Sequence, residues 1–331
     1  MPHPPPTQTP APPPQRAVSL NPETGQLISV VVPAFNAAAY IDDCLRSVLA
    51  QRGAFRLEVI CVDDGSIDDT AARAGTHPGV HVVRQANAGP SAARNRGIAA
   101  ASGEFIAFLD SDDLWPAERL TPQLAILNSH PDIGLVCGDC AIFDGEATLL
   151  ESFFDDAGLD TDFWGDPVRV LDPFAKLFQL NYLATGSLLI RRECLARCGG
   201  FDETMRLVED LELWLRLAQQ CQFAYTRKLC QRKRRHADNV SADSQAMTLA
   251  YVRLLERQQR LHGEELHAKG IRVGARTALE YCLLGDACAR RNDIEAARGW
   301  YLRALRRSPS LRPAWYWLRS WLPATKRAPA P

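Results

Sequence analysis

Three carboxylates stand within four residues at Asp110-Ser111-Asp112-Asp113, directly after the apolar run Phe105–Leu109. In extended chain, residues two apart point the same way, so Asp110 and Asp112 can face one ligand. Like charges this close repel unless a cation lies between them. Hard oxygen ligands suit Mg2+ or Mn2+, which keep few protein carboxylates and complete their shells with substrate phosphates. A D-x-D at a strand end can therefore hold a metal and a diphosphate. The plainer reading is a solvated Asp-rich turn, since Asp is favoured in turns. A second acidic pair, Glu209-Asp210, opens the apolar stretch Leu211, Leu213, Trp214, Leu215 and Leu217. A carboxylate beside such residues is partly desolvated and a better base. Its plainer reading is charge at a helix N-terminus, favourable against the macrodipole. A third pair, Asp63-Asp64, leads into Gly65-Ser66.

These clusters need elements to carry them. Ile28–Val32 is a β-branched run closed by Pro33, which reads as a buried strand ending in a turn. Tyr40, Ile41, Cys44, Leu45, Val48 and Leu49 form one apolar helical stripe. Leu57–Val62, Val80–Val83 and Phe105–Leu109 read as strands, Asp68–Ala74 and Pro90–Ala101 as helices, with Pro90 suited to a first turn. Alternating strands and helices predict an α/β fold, a mostly parallel sheet with helices on both faces. Ligands bind such sheets outside the carboxyl ends of the strands. The polar clusters Pro33–Asn36, Asp63–Ser66 and Asp110–Asp113 fall there. Asp144–Val170 reads as a loop.

Composition removes other classes. At 46% hydrophobic and 23% charged the chain is globular. No apolar run approaches the ~18–20 residues that span a bilayer. There is no G-x-G-x-x-G and no G-x4-G-K-[ST], so dinucleotide and P-loop readings drop. Cys137 and Cys140 form a C-x-x-C, but Cys137 follows Ile133–Val136 and is expected to end a strand. The ten cysteines read as buried structural thiols, and reduced thiols imply the cytosol. The net charge of −1 hides a segregation: 16 basic and 30 acidic residues up to Phe223, 22 basic and 9 acidic beyond it. The basic run Arg232–Arg235 lacks the aromatic platforms or module of a nucleic-acid binder, so no nucleic-acid partner is expected.

The motifs together narrow the reading. Ile28–Asn36, Val62–Ser66, Asn87–Asn95 and Ser102–Asp113 with Leu114-Trp115 resemble the family 2 glycosyltransferases. They look like that family's V-x-P-x-[YF]-N, D-D-G-S, N-x-G-x-x-x-A-R-N and G-E-[FY]-I-x-[FL]-L-D-x-D-D, in order. Gly186–Arg192 with Gly199–Glu203, and then Glu209–Arg216, resemble its acceptor-side segment and its E-D-x-x-L-W-x-R helix. The resemblance implies a GT-A fold and transfer of a sugar, with inversion, from a nucleotide-diphosphate sugar, expected to be a UDP-sugar. It places Pro33, Ala34, Phe35 and Asn36 near the nucleotide, and Asp64, or equally Asp63, near the base. Arg94 approaches the nucleotide or diphosphate. Asp110 and Ser111 lie near ribose or metal, and Asp112 is a ligand of Mn2+ or Mg2+. Asp210 is the general base, with Glu209 as the fallback. Arg234-Arg235-His236 and Ser241 resemble the family's [YF]-R-x-H-x-x-x-x-S, so His236 reaches the metal or diphosphate. Its bland alternative is a solvated basic turn before a helix capped by Ser241.

The expected organisation is a disordered Pro-rich tail at 1–26, a glycosyltransferase domain at 27–240 and a helical extension at 241–331. Ser241–His267 reads as a long helix with Leu249, Val252, Leu255 and Gln259 near one face. Tyr281, Leu284, Gly285, Cys288, Ala297, Tyr301, Ala304 and Pro309 resemble one tetratricopeptide repeat at about 278–311. The repeat either packs on the preceding helix as a cap, the favoured reading, or binds a protein partner. Trp315, Trp317 and Trp321 with Arg312, Arg319, Lys326 and Arg327 suit either core packing or an anionic membrane surface. The resulting expectation is a cytoplasmic enzyme, peripheral at the inner face of the cell membrane, acting on a glycan or lipid-linked acceptor in surface-polysaccharide or glycoconjugate synthesis. The rivals are a nucleotidyltransferase, which also pairs Asp with a metal, and a non-catalytic scaffold acting through the repeat.

Overall fold

The computed structural model describes residues 25–236, 244–309 and 311–321. Residues 1–24 of the expected tail, the boundary at 240/241, the Ser241 cap, Lys326 and Arg327 lie outside the described residues, as do the side chains of Arg312 and Arg319. The strands are β1 (Gln26–Ala34), β2 (Phe55–Asp63), β3 (Val80–Arg84), β4 (Phe105–Phe108), β5 (Ile133–Asp144), β6 (Ala147–Leu150), β7 (Arg169–Val170), β8 (Leu189–Arg191) and β9 (Gln222–Arg234). Among them run α1 (Ile41–Leu49), α2 (Thr70–Ala74), α3 (Pro90–Ala100), α4 (Leu120–Ser129), α5 (Phe153–Asp156), α6 (Thr161–Trp164), α7 (Pro173–Gln179), α8 (Arg192–Cys198) and α9 (Glu209–Ala218). The helices α10 (Ser244–Ala268), α11 (Val273–Arg290), α12 (Ile294–Arg307) and α13 (Leu311–Arg319) follow.

One sheet has the order β3-β2-β1-β4-β8-β5-β9-β7, with β6 on β5. β3, β2, β1 and β4 are parallel, as is the β5–β9 pair; β8 joins the two halves antiparallel to both β4 and β5. The period of two in β1 explains the two layers. Ile28, Val30 and Val32 pack with Ile41, Leu45 and Val48 of α1 and Leu120, Leu124 and Leu127 of α4. Val31 faces the other way, onto the core that holds Ala93 of α3 and Leu211, Leu213 and Trp214 of α9. Gly97 lets α3 lie this close, because a Cβ there would stand 2.2 Å from Val31 Cγ1.

Three expectations are corrected. Asp144–Val170 is not a loop: it forms β6, α5, α6 and β7, with Trp164 and Phe154 buried in the core. Cys137 does not end its strand, because pairing with β9 carries β5 on through Cys140 to Asp144. Gln259 is exposed on α10 while Gln258 is buried, and a departure from helical dihedrals at His262 breaks the ideal stripe. All ten cysteines are free; Cys44, Cys61, Cys137, Cys140, Cys194, Cys230, Cys282 and Cys288 have the burial expected of structural residues, while Cys198 and Cys221 are half-buried.

The helices beyond β9 do not stand apart. Leu254, Leu255 and Leu266 of α10 and Val273 of α11 belong to the main core. Ala278, Cys282, Cys288, Ala297, Tyr301, Ala304 and Tyr316 form a second, smaller cluster joining α11, α12 and α13. Gly285 admits Tyr301, since a Cβ there would meet the ring at 2.3 Å. Tyr301 Oη also donates to Asp286 at 2.7 Å. Among the described residues no helix is long and apolar enough to cross a membrane.

Candidate active site

Parallel strands deliver their carboxyl ends to one rim, and the polar clusters lie on it. At the end of β1, Pro33 and Ala34 are buried while Phe35 is exposed. Asn36 takes a left-handed φ of 49°, which Asn tolerates better than most residues. Its N–H donates to Ser66 Oγ at 2.9 Å, and its Oδ1 accepts from the Ile67 N–H at 3.0 Å. The two loops above β1 and β2 are thereby tied together.

Asp63 and Asp64, at the end of β2, spend their oxygens on the protein. Asp63 accepts from Arg84 Nε at 3.1 Å and from the Ser66 N–H at 3.2 Å. Asp64 accepts from Gln85 Nε2 at 2.8 Å and from the N–H groups of Ala88 and Gly89 at 2.9 and 2.8 Å. Both carboxylates shape the floor leading into α3.

Arg94 of α3 joins the distant acidic motifs. Its guanidinium is buried; Nη2 donates to Asp110 Oδ1 at 2.7 Å and Nη1 to Glu209 Oε1 at 3.0 Å, with the Phe201 ring 5.3 Å below. Burial opposes the charge, yet Asp110 and Glu209 hold the guanidinium firmly protonated. Burial likewise raises the Asp110 carboxyl, but Arg94 outweighs it and the pKa is lowered. Glu209 goes the other way: burial first, then the Asp210 charge, raise its pKa from the ordinary value against the pull of Arg94. Because the Arg94 guanidinium is buried, removing either carboxylate leaves its charge less well paired, which is costly.

Asp112 and His236 meet across the chain, with Asp112 Oδ2 2.9 Å from His236 Nε2. Ser111 is half-buried between Asp110 and Asp112. The loop is fixed from β9: Asp113 accepts from Gln231 Nε2 at 2.6 Å and from the Arg234 N–H at 2.8 Å, and Arg234 Nε donates to the Asp112 carbonyl at 2.9 Å. The block Arg232–Arg234 is therefore strand, not a basic turn, because pairing with β5 extends that far. Burial, then the charges of Asp112 and Asp110, push the Asp113 carboxyl well above its ordinary range.

The hard carboxylate oxygens of Asp112, beside the His236 imidazole, are a donor set that fits a divalent cation. Among the described residues no three His, Cys, Asp or Glu side chains converge on one metal position. Asp112 and His236 would thus supply a minority of the ligands to Mn2+ or Mg2+, leaving the rest to phosphate and water.

Glu209 and Asp210 begin α9 directly after Val208, whose φ is +55°. A β-branched residue is rarely held there, and such strain gathers at functional sites. Asp210 Oδ1 accepts from the Leu211 N–H at 2.7 Å, and Oδ2 lies 3.5 Å from Thr185 Oγ1. The rim therefore brings together Asp110, Asp112, His236, Arg94, Glu209 and Asp210, while Asp63 and Asp64 face their own loops.

Some neighbours escaped sequence reasoning. Tyr40, read as part of the α1 stripe, stacks on His236 at 5.1 Å and lies under Arg234. Lys233 lies near the carboxylates; desolvation of its amine lowers the pKa, but the charges of Asp113, Asp110, Cys140 and Asp210 prevail and raise it. A period of two from Gln231 through Lys233 is the one signal that would have found it.

With this geometry in hand, comparison with known proteins gives one answer. The model of Glycosyl transferase family 2 matches residues 29–197. The chain is 41% identical over 111 residues to the glycosyltransferase YibD of Escherichia coli (strain K12), covering 32% of each protein. Matches of this kind span about a third to two fifths of the curated relatives. In structure it is similar to S. aureus TarS 1-349 in complex with UDP-GlcNAc, with TM-score 0.61 and 17% identity over 89% of this chain and 90% of that one. It is also similar to the mannosyltransferase PcManGT from Pyrobaculum calidifontis in complex with GDP-Man and Mn2+, with TM-score 0.57 and 21% identity over 90% and 80%. The fold is GT-A, and the chain belongs to glycosyl transferase family 2.

Proposed function

We propose that this chain transfers a sugar, with inversion, from a nucleotide-diphosphate sugar to an acceptor hydroxyl, using Mn2+ or Mg2+. The observation that carries this reading is the Arg94 bridge between Asp110 and Glu209, at 2.7 and 3.0 Å, which puts the D-x-D loop and the E-D helix on one rim. Inversion is a single in-line displacement and needs a diphosphate-binding side and a base on one rim.

Asp210 is the base: it takes the acceptor's proton as the new bond forms, with Thr185 beside it. Glu209, engaged with Arg94, orients the start of α9. Asp112 and His236 would hold the metal, which when bound would neutralise charge on the departing diphosphate. Phe35, Asn36 and the loops shaped by Asp63 and Asp64 receive the nucleoside, with a UDP-sugar as the favoured donor. Ser111 and Asp110 lie toward its ribose.

A panel of UDP- and GDP-sugars, followed by release of nucleoside diphosphate with Mn2+, tests the reading, with the product anomer read by NMR. The anomeric configuration should be opposite to the donor's; retention would remove Asp210 as a base acting in one displacement.

The acceptor is proposed to be a glycan or lipid-linked sugar of surface-polysaccharide synthesis, reached from the cytoplasmic side. Trp315, Leu318 and Trp321 are exposed at the end of the helical extension, at 40, 61 and 59%. Such a face can rest on an anionic membrane or receive a protein partner, and we favour the membrane. In flotation with anionic liposomes, the intact protein should rise with the vesicles and a chain truncated at Leu311 should not. Equal behaviour of the two excludes the membrane role.

A further inference from the structure

Helix α10 touches α9 near both of its ends. Near the start of α9, Arg257 Nη1 donates to Asp202 Oδ2 at 3.2 Å and lies 3.9 Å from Glu212 Oε1 and from the Met205 sulfur. Near the end of α9, His262 Nδ1 is 3.2 Å from Gln219 Nε2, and the His262 ring meets Phe174 edge-on at 5.9 Å. The departure from helical dihedrals in α10 falls at His262 itself.

The segment between these contacts is held from several sides. Asn95 of α3 accepts from the Phe201 N–H at 2.8 Å and donates to the Phe201 carbonyl at 2.9 Å. Arg216 of α9 donates from Nε to both oxygens of buried Glu212, at 3.0 and 2.9 Å, and from Nη2 to the Gly200 carbonyl at 2.7 Å. Arg257 supplies a further anchor at Asp202. From there the chain runs to Val208, whose left-handed conformation costs about 1–3 kcal/mol and persists only where its surroundings enforce it. Glu209 and Asp210 come next.

We propose that Arg257 is a positioning residue: reaching in from the helices that follow the sheet, it fixes residues 202–212 and so aims Asp210 at the reacting hydroxyl. This rests on the reading of Asp210 as the base. Arginine suits the task, because one planar guanidinium reaches Asp202, Glu212 and the Met205 thioether together. Its side chain is 43% exposed. Ion pairs of such groups contribute little to global stability, so the contact acts through orientation more than folding.

The test follows nucleoside diphosphate release with Mn2+, using the nucleotide sugar most active in a panel of UDP- and GDP-sugars. Arg257→Met should lower kcat about tenfold while donor KM and melting temperature stay near wild type, since small misplacements of a reacting group are costly. Arg257→Lys should recover part of the loss. Asp202→Asn should reproduce it, and the double variant should be no worse than either single one, the mark of a shared contact. Hydrogen exchange of amides 203–212 should rise in Arg257→Met and not in Arg260→Gln, an exposed arginine of the same helix.

An unchanged kcat overturns the proposal, whatever the exchange shows. So does a loss that tracks melting temperature, with Lys no better than Met. If Arg257→Met does not fold, Asp202→Asn carries the same test from the other side. Asp210→Asn, run in parallel, separates the two claims. Normal turnover there removes the base, and the positioning role with it; an inactive Asp210→Asn beside an unaffected Arg257→Met removes the positioning role alone.

Discussion

Asp210→Asn should keep nucleotide binding within about twofold of wild type and lose about 10²–10⁴ in turnover, the range contributed by a positioned general base. Asn keeps the size of the side chain and an oxygen that can accept from the Leu211 N–H, now 2.7 Å from Asp210 Oδ1. The start of α9 therefore has little reason to move. What disappears is the ability to take a proton. Glu209 is a poor substitute, because its carboxylate already accepts from Arg94 at 3.0 Å. Its pKa, raised first by burial and then by the neighbouring Asp210 charge, loses only the second of these causes in the variant. Steady-state turnover together with nucleotide calorimetry on the same variant checks both halves. Turnover near wild type would contradict the assignment of Asp210.

The sequence made the first half of the sheet legible for a physical reason. β1 from Ile28, β2 from Val59 and β4 are buried on both faces, so they read as apolar runs, and each is followed by the polar residues that end it. The strands of the second half carry no such signature. β8 has three residues and β7 two, and both exist because neighbours pair with them. The end of β9 is Gln231-Arg232-Lys233-Arg234, whose charge reads as turn; pairing with β5 and the bonds from Asp113 make it strand.

The site divides in the same way. Asp110, Asp112, Glu209, Asp210 and Arg94 were all visible as motif residues. Their mutual geometry was not, since Arg94 and Glu209 stand 115 positions apart. The Arg94 guanidinium, expected to approach the nucleotide or diphosphate, is enclosed between two carboxylates, a pairing its motif did not show. The left-handed Val208 had no sequence signal, because a β-branched residue argues against it. The change of charge along the chain also gains meaning: part of the basic excess, at Arg257, is spent on the acidic segment that carries α9.

The second large effect concerns Asp112, and it is the most direct test of the whole account. Asp112 lies 2.9 Å from His236 on a loop whose neighbouring carboxylates, Asp110 and Asp113, are already committed to Arg94 and to Gln231 with Arg234. Neither neighbour can readily replace it as a metal ligand. Calorimetry of UDP and of GDP, with and without Mn2+, on wild type and Asp112→Ala measures this directly. Wild type should bind one of the two nucleotides tightly only when Mn2+ is present, and Asp112→Ala should lose about 10–100-fold or more of that affinity. Failure of wild type to bind either nucleotide with metal, or equal binding by Asp112→Ala, would contradict a metal-dependent nucleotide-sugar site.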